Sequence, residues 1–389
     1  MEWFQFILNI TKNVLMVTYN PNLTWDNVLS RIEDEWDWYG ISKHPNITMD
    51  CVQSNLDKPW DWGGISLNPN LTIHVIESMP DKPWNWNMIS THQNLTWEFI
   101  TLHIDKDWNW HYISEHSNIN TYIIQNNLDK PWDWGGISKN TNLTWSFVLL
   151  HLDKPWDWEG ISLHKCITWD IISTNPDKPW SWVGISYNSN ITIDIILSNP
   201  DRDWDWNYIT CNPSISLDII LSIPDRDWNW NLISIHKQLT MDVIQLHYNK
   251  PWNWNSISMH PNITMEMIQS NLDKPWDWYG ISGNPSLTME NILSEPYKAW
   301  DWNEISRNVN LSFRDIESNM DKPWQAFCLG QNEFKKEKEQ FHLRVQHQKY
   351  IQENILEELV KKANHPSRIQ TYLENGIALE DIFIMLDHN

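Results

Sequence analysis

Thirteen tryptophans stand at intervals of 24 residues: Trp36, Trp60, Trp84, Trp108, Trp132, Trp156, Trp180, Trp204, Trp228, Trp252, Trp276, Trp300 and Trp324. All but the last are followed two positions later by a second Trp, from Trp38 to Trp302. A fixed period of this length belongs to stacked supersecondary units, in which each unit touches its neighbours and the core grows lengthwise. Twelve full units fit between Trp36 and Gln325. The chain divides accordingly into residues 1–35, an N-terminal cap with a partial repeat; 36–329, the twelve repeats and a terminal stub; and 330–389, a helical C-terminal cap or tail.

Counting from the first Trp as position zero, the unit reads W-D-W-x-x-I-S-x-N-P-N-L-T-x-D-x-I-x-S-N-x-D-K-P. Its second half carries three agreeing helix-start signals. Thr24, Thr48, Thr72 and Thr96 share one column, where a hydroxyl can accept from first-turn amides. An acid follows two residues on at Asp26, Asp50 and Glu98, suiting the positive helix end. Leu23 and Val28, or Ile47 and Val52, bracket the cap as a hydrophobic staple. The first half opens D-K-P, which suggests Asp57, Asp81, Asp129, Asp153 and Asp177 as N-caps, with Pro59 and its equivalents in the first turn. Position eight holds only Asn or His, often before Pro, and reads as a helix stop. These signals predict an all-α fold: an α-solenoid of about twelve 24-residue helix-pair repeats with capping helices at both ends. Each helix would be about seven to nine residues, too short to persist alone in water. Stretches such as LTMDVI alternate well enough for a strand, so a leucine-rich-repeat-like horseshoe is the rival. The caps, staple and first-turn Pro argue against it.

Formal net charge is −22, with 20 Lys and Arg against 40 Asp and Glu up to residue 330 and 8 against 10 beyond. Such a surface repels phosphate backbones, excluding nucleic acid, and favours a basic protein partner. Cys51, Cys166, Cys211 and Cys328 lie far apart, without metal-like spacing, and fit a reducing compartment. The N-terminus MEWFQFILNITKNVLMV is apolar, lacks a basic start and is interrupted by Asn9, Lys12 and Asn13. It reads as a capping helix ahead of a signal peptide or membrane anchor, so the protein is expected to be neither secreted nor membrane-bound. Asn-x-Ser/Thr occurs at Asn9 and recurs in one column at Asn22, Asn46, Asn70, Asn94, Asn142, Asn190, Asn262 and Asn310, where the Thr or Ser is a cap; the structural reading is preferred to glycosylation. In the tail, Ile351, Ile355 and Leu359 mark an amphipathic helix that would cover the end of the stack.

No nucleophile–base constellation, phosphate loop or zinc pattern is visible, so no catalytic, cofactor or metal residues are expected. His and Asn interchange within columns, which suits turns better than metal ligation, and rows of like residues do not make an active site. The tryptophan rows hold the ambiguity. Trp60 and Trp62 would lie about 200° apart on a helix. The second Trp is assigned to the core. The first either packs on the adjacent unit or lines a groove, which makes Trp60, Trp84, Trp132, Trp156, Trp180, Trp252 and Trp276 candidate partner-binding residues.

The units DKPWDWGGISLNPNLT, DKPWDWGGISKNTNLTW and DKPWDWYGISGNPSLTME resemble tandem-repeat proteins of giant DNA viruses of the mimivirus kind, over about residues 20–330. The resemblance carries no biochemical role for individual residues. It implies a product made inside an infected protist, in the host cytoplasm or viral factory, or packaged in the virion. The expected function is a non-enzymatic repeat scaffold for protein–protein interaction, through an acidic, elongated surface. A structural spacer in the virion is the alternative, and carbohydrate binding by exposed indoles is a third reading. The pair at positions three and four changes freely (Gly63-Gly64, Asn87-Met88, His111-Tyr112), which leans toward recognition.

Overall fold

The computed structural model describes residue 8 and residues 14–334. The expected N-terminal capping helix and the tail helix around Ile351, Ile355 and Leu359 lie outside the described residues. Among the described residues there are twenty-six short α-helices, one 3-10 turn and no strand. The chain is a helical repeat solenoid, and the horseshoe alternative is set aside.

The second helix of each unit starts where the sequence signals place it. Thr48 accepts from Cys51 N at 3.3 Å and opens Met49–Gln53, while the staple residues Ile47 and Val52 are fully buried. The first helix starts later than expected. Its N-cap is the Asp between the two tryptophans: Asp61 accepts from Gly64 N at 2.7 Å, and the helix is Trp62–Ile65. Asp57 instead sits in an exposed turn, paired with Lys58 at 2.8 Å. Either Asp could cap a helix. The neighbouring unit decides, because Asp61 N donates to Ser42 Oγ of the preceding unit at 3.0 Å and thereby fixes where the helix begins. The helices are correspondingly shorter than predicted, at four to six residues.

The buried Ser column joins units by a relay. Ser66 Oγ donates to Trp62 O at 2.7 Å and accepts from Asn85 N at 2.9 Å. The same pair of bonds recurs at Ser138, Thr210 and Ser282. Glycine at position four lets neighbouring first helices approach. A Cβ on Gly64 would stand 2.8 Å from Tyr39 O, and one on Gly136 2.6 Å from His111 O.

Two compact units are distinguished: Met1–Asn308 with Met320–Glu333, and Val309–Asn319 with Phe334–Asn389. In the second, Ser312 and Asp315 form a capping box on Phe313–Glu317, and the Phe313 and Phe334 rings lie 4.7 Å apart.

The first unit closes on itself. Within the array, Asn68 Nδ2 donates to the carbonyls of Ser42, His44 and Ile47, residues 26, 24 and 21 places earlier. Across the ends, Asn20 Nδ2 donates to Gly330 O at 2.7 Å and Asn332 O at 3.0 Å, and Asn22 Nδ2 donates to Glu333 O at 2.7 Å. Asn20 therefore treats residues 330–332 as the unit before it. With Asn20 and Asn332 added, the twelve-membered position-eight column becomes a circuit of fourteen. The sequence suggests an elongated array with two ends. The ends meet because a small turn per unit accumulates over a quasi-one-dimensional stack. Adjacent first helices approach more closely than adjacent second helices, so in a closed circuit the first helices form the layer nearer its centre.

The seam keeps the amide bonds and loses two other joints. Gly330 supplies no hydroxyl where other units have Ser or Thr, and Ala326 stands where the second Trp belongs. Gly330 also has a positive role: a Cβ there would lie 2.6 Å from Met16 O. Gly330→Val should therefore open the seam, raising amide hydrogen exchange over residues 14–23 and 326–332 while units near Ser162 stay protected. Unchanged protection at both ends would show that the seam does not depend on this contact.

Candidate functional site

Position eight does more than end a helix. His44 accepts from Asn46 N on Nδ1 at 3.1 Å, so its proton is on Nε2, which donates to Asn20 O at 3.0 Å. Asn68 does the same with an amide, Oδ1 accepting from Asn70 N at 2.8 Å while Nδ2 faces the preceding unit. Asn and His are interchangeable here because each offers an acceptor to its own turn and a donor to its neighbour. Sequence reasoning missed this inter-unit role. The available signal was the restriction to these two residue types, since a turn alone would also admit Gly, Asp or Ser.

The Asn-x-Ser/Thr column is likewise engaged. Asn46 Nδ2 donates to Pro21 O at 2.7 Å and Leu23 O at 2.8 Å. Asn70, Asn190 and Asn262 repeat this pair of bonds. The nitrogen that would carry a glycan is thus a structural donor, and the Thr two residues on is a helix cap.

The indoles divide their work differently from the sequence reading. Residues 57–60 precede the helix, so the helical-wheel argument does not apply to the first Trp. Trp60 folds beneath the preceding unit, its Nε1 donating to Asn55 O at 2.7 Å. Trp60, Trp84, Trp132, Trp156 and Trp252 are each 7% exposed, and Trp180 and Trp276 are half-buried. All seven make the same indole bond to a helix-end carbonyl. The second Trp, assigned to the core, is generally the shallower: Trp62 is half-buried. It meets the next unit's first Trp edge-on, as in Trp62–Trp84 at 5.1 Å and 88°. The Lys of the turn before each first Trp covers several of these rings, with Lys82 Nζ 5.2 Å from the Trp62 ring centre and Lys298 Nζ 4.6 Å from that of Trp278, an attraction to the ring quadrupole.

What remains on the surface is sorted by position. Positions three and seven of the first helices, with the tyrosines of position four, form an exposed face on the inner layer, bearing Tyr39, Tyr187, Tyr208, Ile235 and Tyr279. Charges on positions three and seven nearly balance: Lys43, Lys139 and Arg307 against Glu115 and Glu159. The acidity lies elsewhere, at the first-helix N-caps such as Asp61, Asp133 and Asp205 and in the first turns of the second helices, while acid and base nearly cancel in the D-K-P turns. In those turns the ammonium of Lys58, Lys130 or Lys178 hydrogen-bonds the preceding carboxylate and holds Asp57, Asp129 and Asp177 below the ordinary carboxylate range.

Among the described residues no three His, Cys, Asp or Glu gather to hold a metal ion, and no helix is long and apolar enough to cross a membrane. No family model, curated protein or solved structure matches the chain.

Burial pushes the imidazoles of His44, His92 and His164 below the ordinary histidine value. A second proton on Nδ1 would also break the turn bond. The unfolded chain then binds protons first as pH falls, so stability is full above the ordinary value, near 6.5, and is lost below it. The melting temperature should drop between about pH 7.5 and pH 5.5. Replacing His44, His92 and His164 together by Asn should flatten that drop, as followed by calorimetry. An unchanged slope would place the acid sensitivity elsewhere.

Proposed function

We propose that the chain is a non-enzymatic scaffold that binds a protein partner, in virus–host contact or viral assembly. The observation that carries this reading is where the units differ. Positions that build the array (the Ser, the Asn or His, the paired indoles, the capped Thr) hardly vary. Exposed positions of both helices change, and on the first helices the changes set large aromatic and aliphatic side chains, such as Tyr187 and Ile235, in the open among small and polar ones. A spacer would need only the invariant positions and has no use for exposed Tyr187, Tyr208 or Ile235. The carboxylate-bearing turns would attract a basic partner and speed its approach, while the near-neutral inner face would set specificity.

The resemblance to giant-virus repeat proteins supports the host cytoplasm or viral factory as the setting of this scaffold. A virion spacer is the second reading. Carbohydrate binding by the first-indole ladder is weaker, because those indoles are mostly buried and their N–H groups are committed to backbone.

The reading is tested by affinity purification from infected cells with mass spectrometry, comparing the natural chain with Tyr187→Asp/Ile235→Asp. Recovery of a specific partner should fall about tenfold in the double variant, whereas Glu77→Lys, on a second helix, should leave it near the natural level. Recovery of capsid proteins alone, indifferent to both variants, would favour the spacer.

A further inference from the structure

One notch between units differs from the rest. It lies between the unit that begins at Trp228 and the one that begins at Trp252, and it encloses about 550 Å³. Its floor is Ile244, which is buried, and one wall is the indole of Trp254. Tyr248 stands at its edge, 80% exposed. The position of Tyr248 is otherwise occupied by Leu, Ile, Pro or Met, as at Leu56, Ile104, Leu152, Pro200 and Met320. The next residue is altered too: Asn249 replaces the Asp of D-K-P, and Lys250 reaches back one unit to Pro224 O at 3.0 Å and Asp225 Oδ1 at 3.5 Å instead of pairing with the residue before it. An exposed aromatic, a lost charge and a cavity therefore coincide in one unit of the array.

The polar side of the notch is ordered. Gln245 Nε2 donates to Asn271 Oδ1 at 3.1 Å, which fixes two amides side by side. Asp273 and Lys274 pair at 2.8 Å on the facing turn, so the rim offers one carboxylate and one ammonium with no net charge. Neither an anion nor a cation is favoured. A ligand that uses all of these groups has an apolar face for the aromatic rings and several neutral hydroxyls for the amides, carboxylate and ammonium. The volume is that of a small-molecule site.

We propose that this notch is a binding site for a neutral saccharide, a pyranose or disaccharide seated on Tyr248 and Trp254, with its hydroxyls on Gln245, Asn271, Asp273 and Lys274. The site is independent of the protein-scaffold reading. It differs from a ladder of first indoles, since Trp254 is a second-position indole and Tyr248 occurs once.

The test is saturation-transfer NMR with calorimetric titration of the full chain, using methyl glycosides of glucose, galactose, mannose and N-acetylglucosamine together with cellobiose and chitobiose. Saturable binding of at least one sugar is expected. Tyr248→Ala should weaken it about tenfold, and Tyr248→Phe should leave it within about threefold. Leu128→Ala, at the corresponding place of another unit, should have no effect. Because Tyr248 is exposed, the Ala variant should melt like the natural chain, which separates lost binding from lost folding. No saturable binding up to about 20 mM, or binding indifferent to Tyr248→Ala, overturns the assignment. So does Tyr248-dependent binding of N-acetyl-tyrosinamide with none of any sugar, which would make the notch a pocket for a peptide side chain.

Discussion

The array depends on buried polar side chains that reach one unit back. Asn140 shows the arrangement in full: its Nδ2 donates to the carbonyls of Ser114, His116 and Ile119, and its Oδ1 accepts from Asn142 N. Helices of four to six residues leave most of their amides and carbonyls without intrahelical partners. Buried groups of that kind must be paired or they destabilise the fold. The Asn/His column, the second Asn column, the Ser relay and the indole N–H groups supply those partners from the adjacent unit. Stacking is thus as much a requirement of the backbone as of the apolar core, and a lone unit would leave both exposed.

The same constraint accounts for the regularity. Ile65, Ile89, Ile113 and Ile137 are almost fully buried along one row, but aliphatic packing tolerates a shifted neighbour. A hydrogen bond from Asn68 to a carbonyl 24 residues earlier does not. One added residue in a unit would move donors away from acceptors at every joint it touches, which gives a physical reason for a period that holds over thirteen tryptophans. It also explains the closure, since Asn20 and Asn22 find in residues 330–333 the acceptors that the previous unit offers elsewhere. An array held by directional bonds can close only when its accumulated turn returns those bonds to register.

Freedom is left to positions outside this network. The exposed face of the first helices and the position of Tyr248 vary because neither carries the buried bonds that set the joints. These are the surfaces where a partner or ligand would be met, and both are read from differences between units rather than from the unit itself.

The repeating sequence by itself determined the helix pair, the capped starts of the second helices at Thr48 and Thr72, the staples beneath them and the structural role of the Asn-x-Thr column, because these are local and recur in every unit. It left the first helix misplaced by four residues, since Asp57 and Asp61 are equally good caps and only the bond from Asp61 N to Ser42 Oγ separates them. It reversed the relative depth of Trp60 and Trp62 for the same reason. The reach of position eight across the joint, the meeting of the ends at Gly330 and the notch beside Tyr248 were decided by the tertiary structure alone, because each requires two segments far apart in sequence to be brought to a fixed distance.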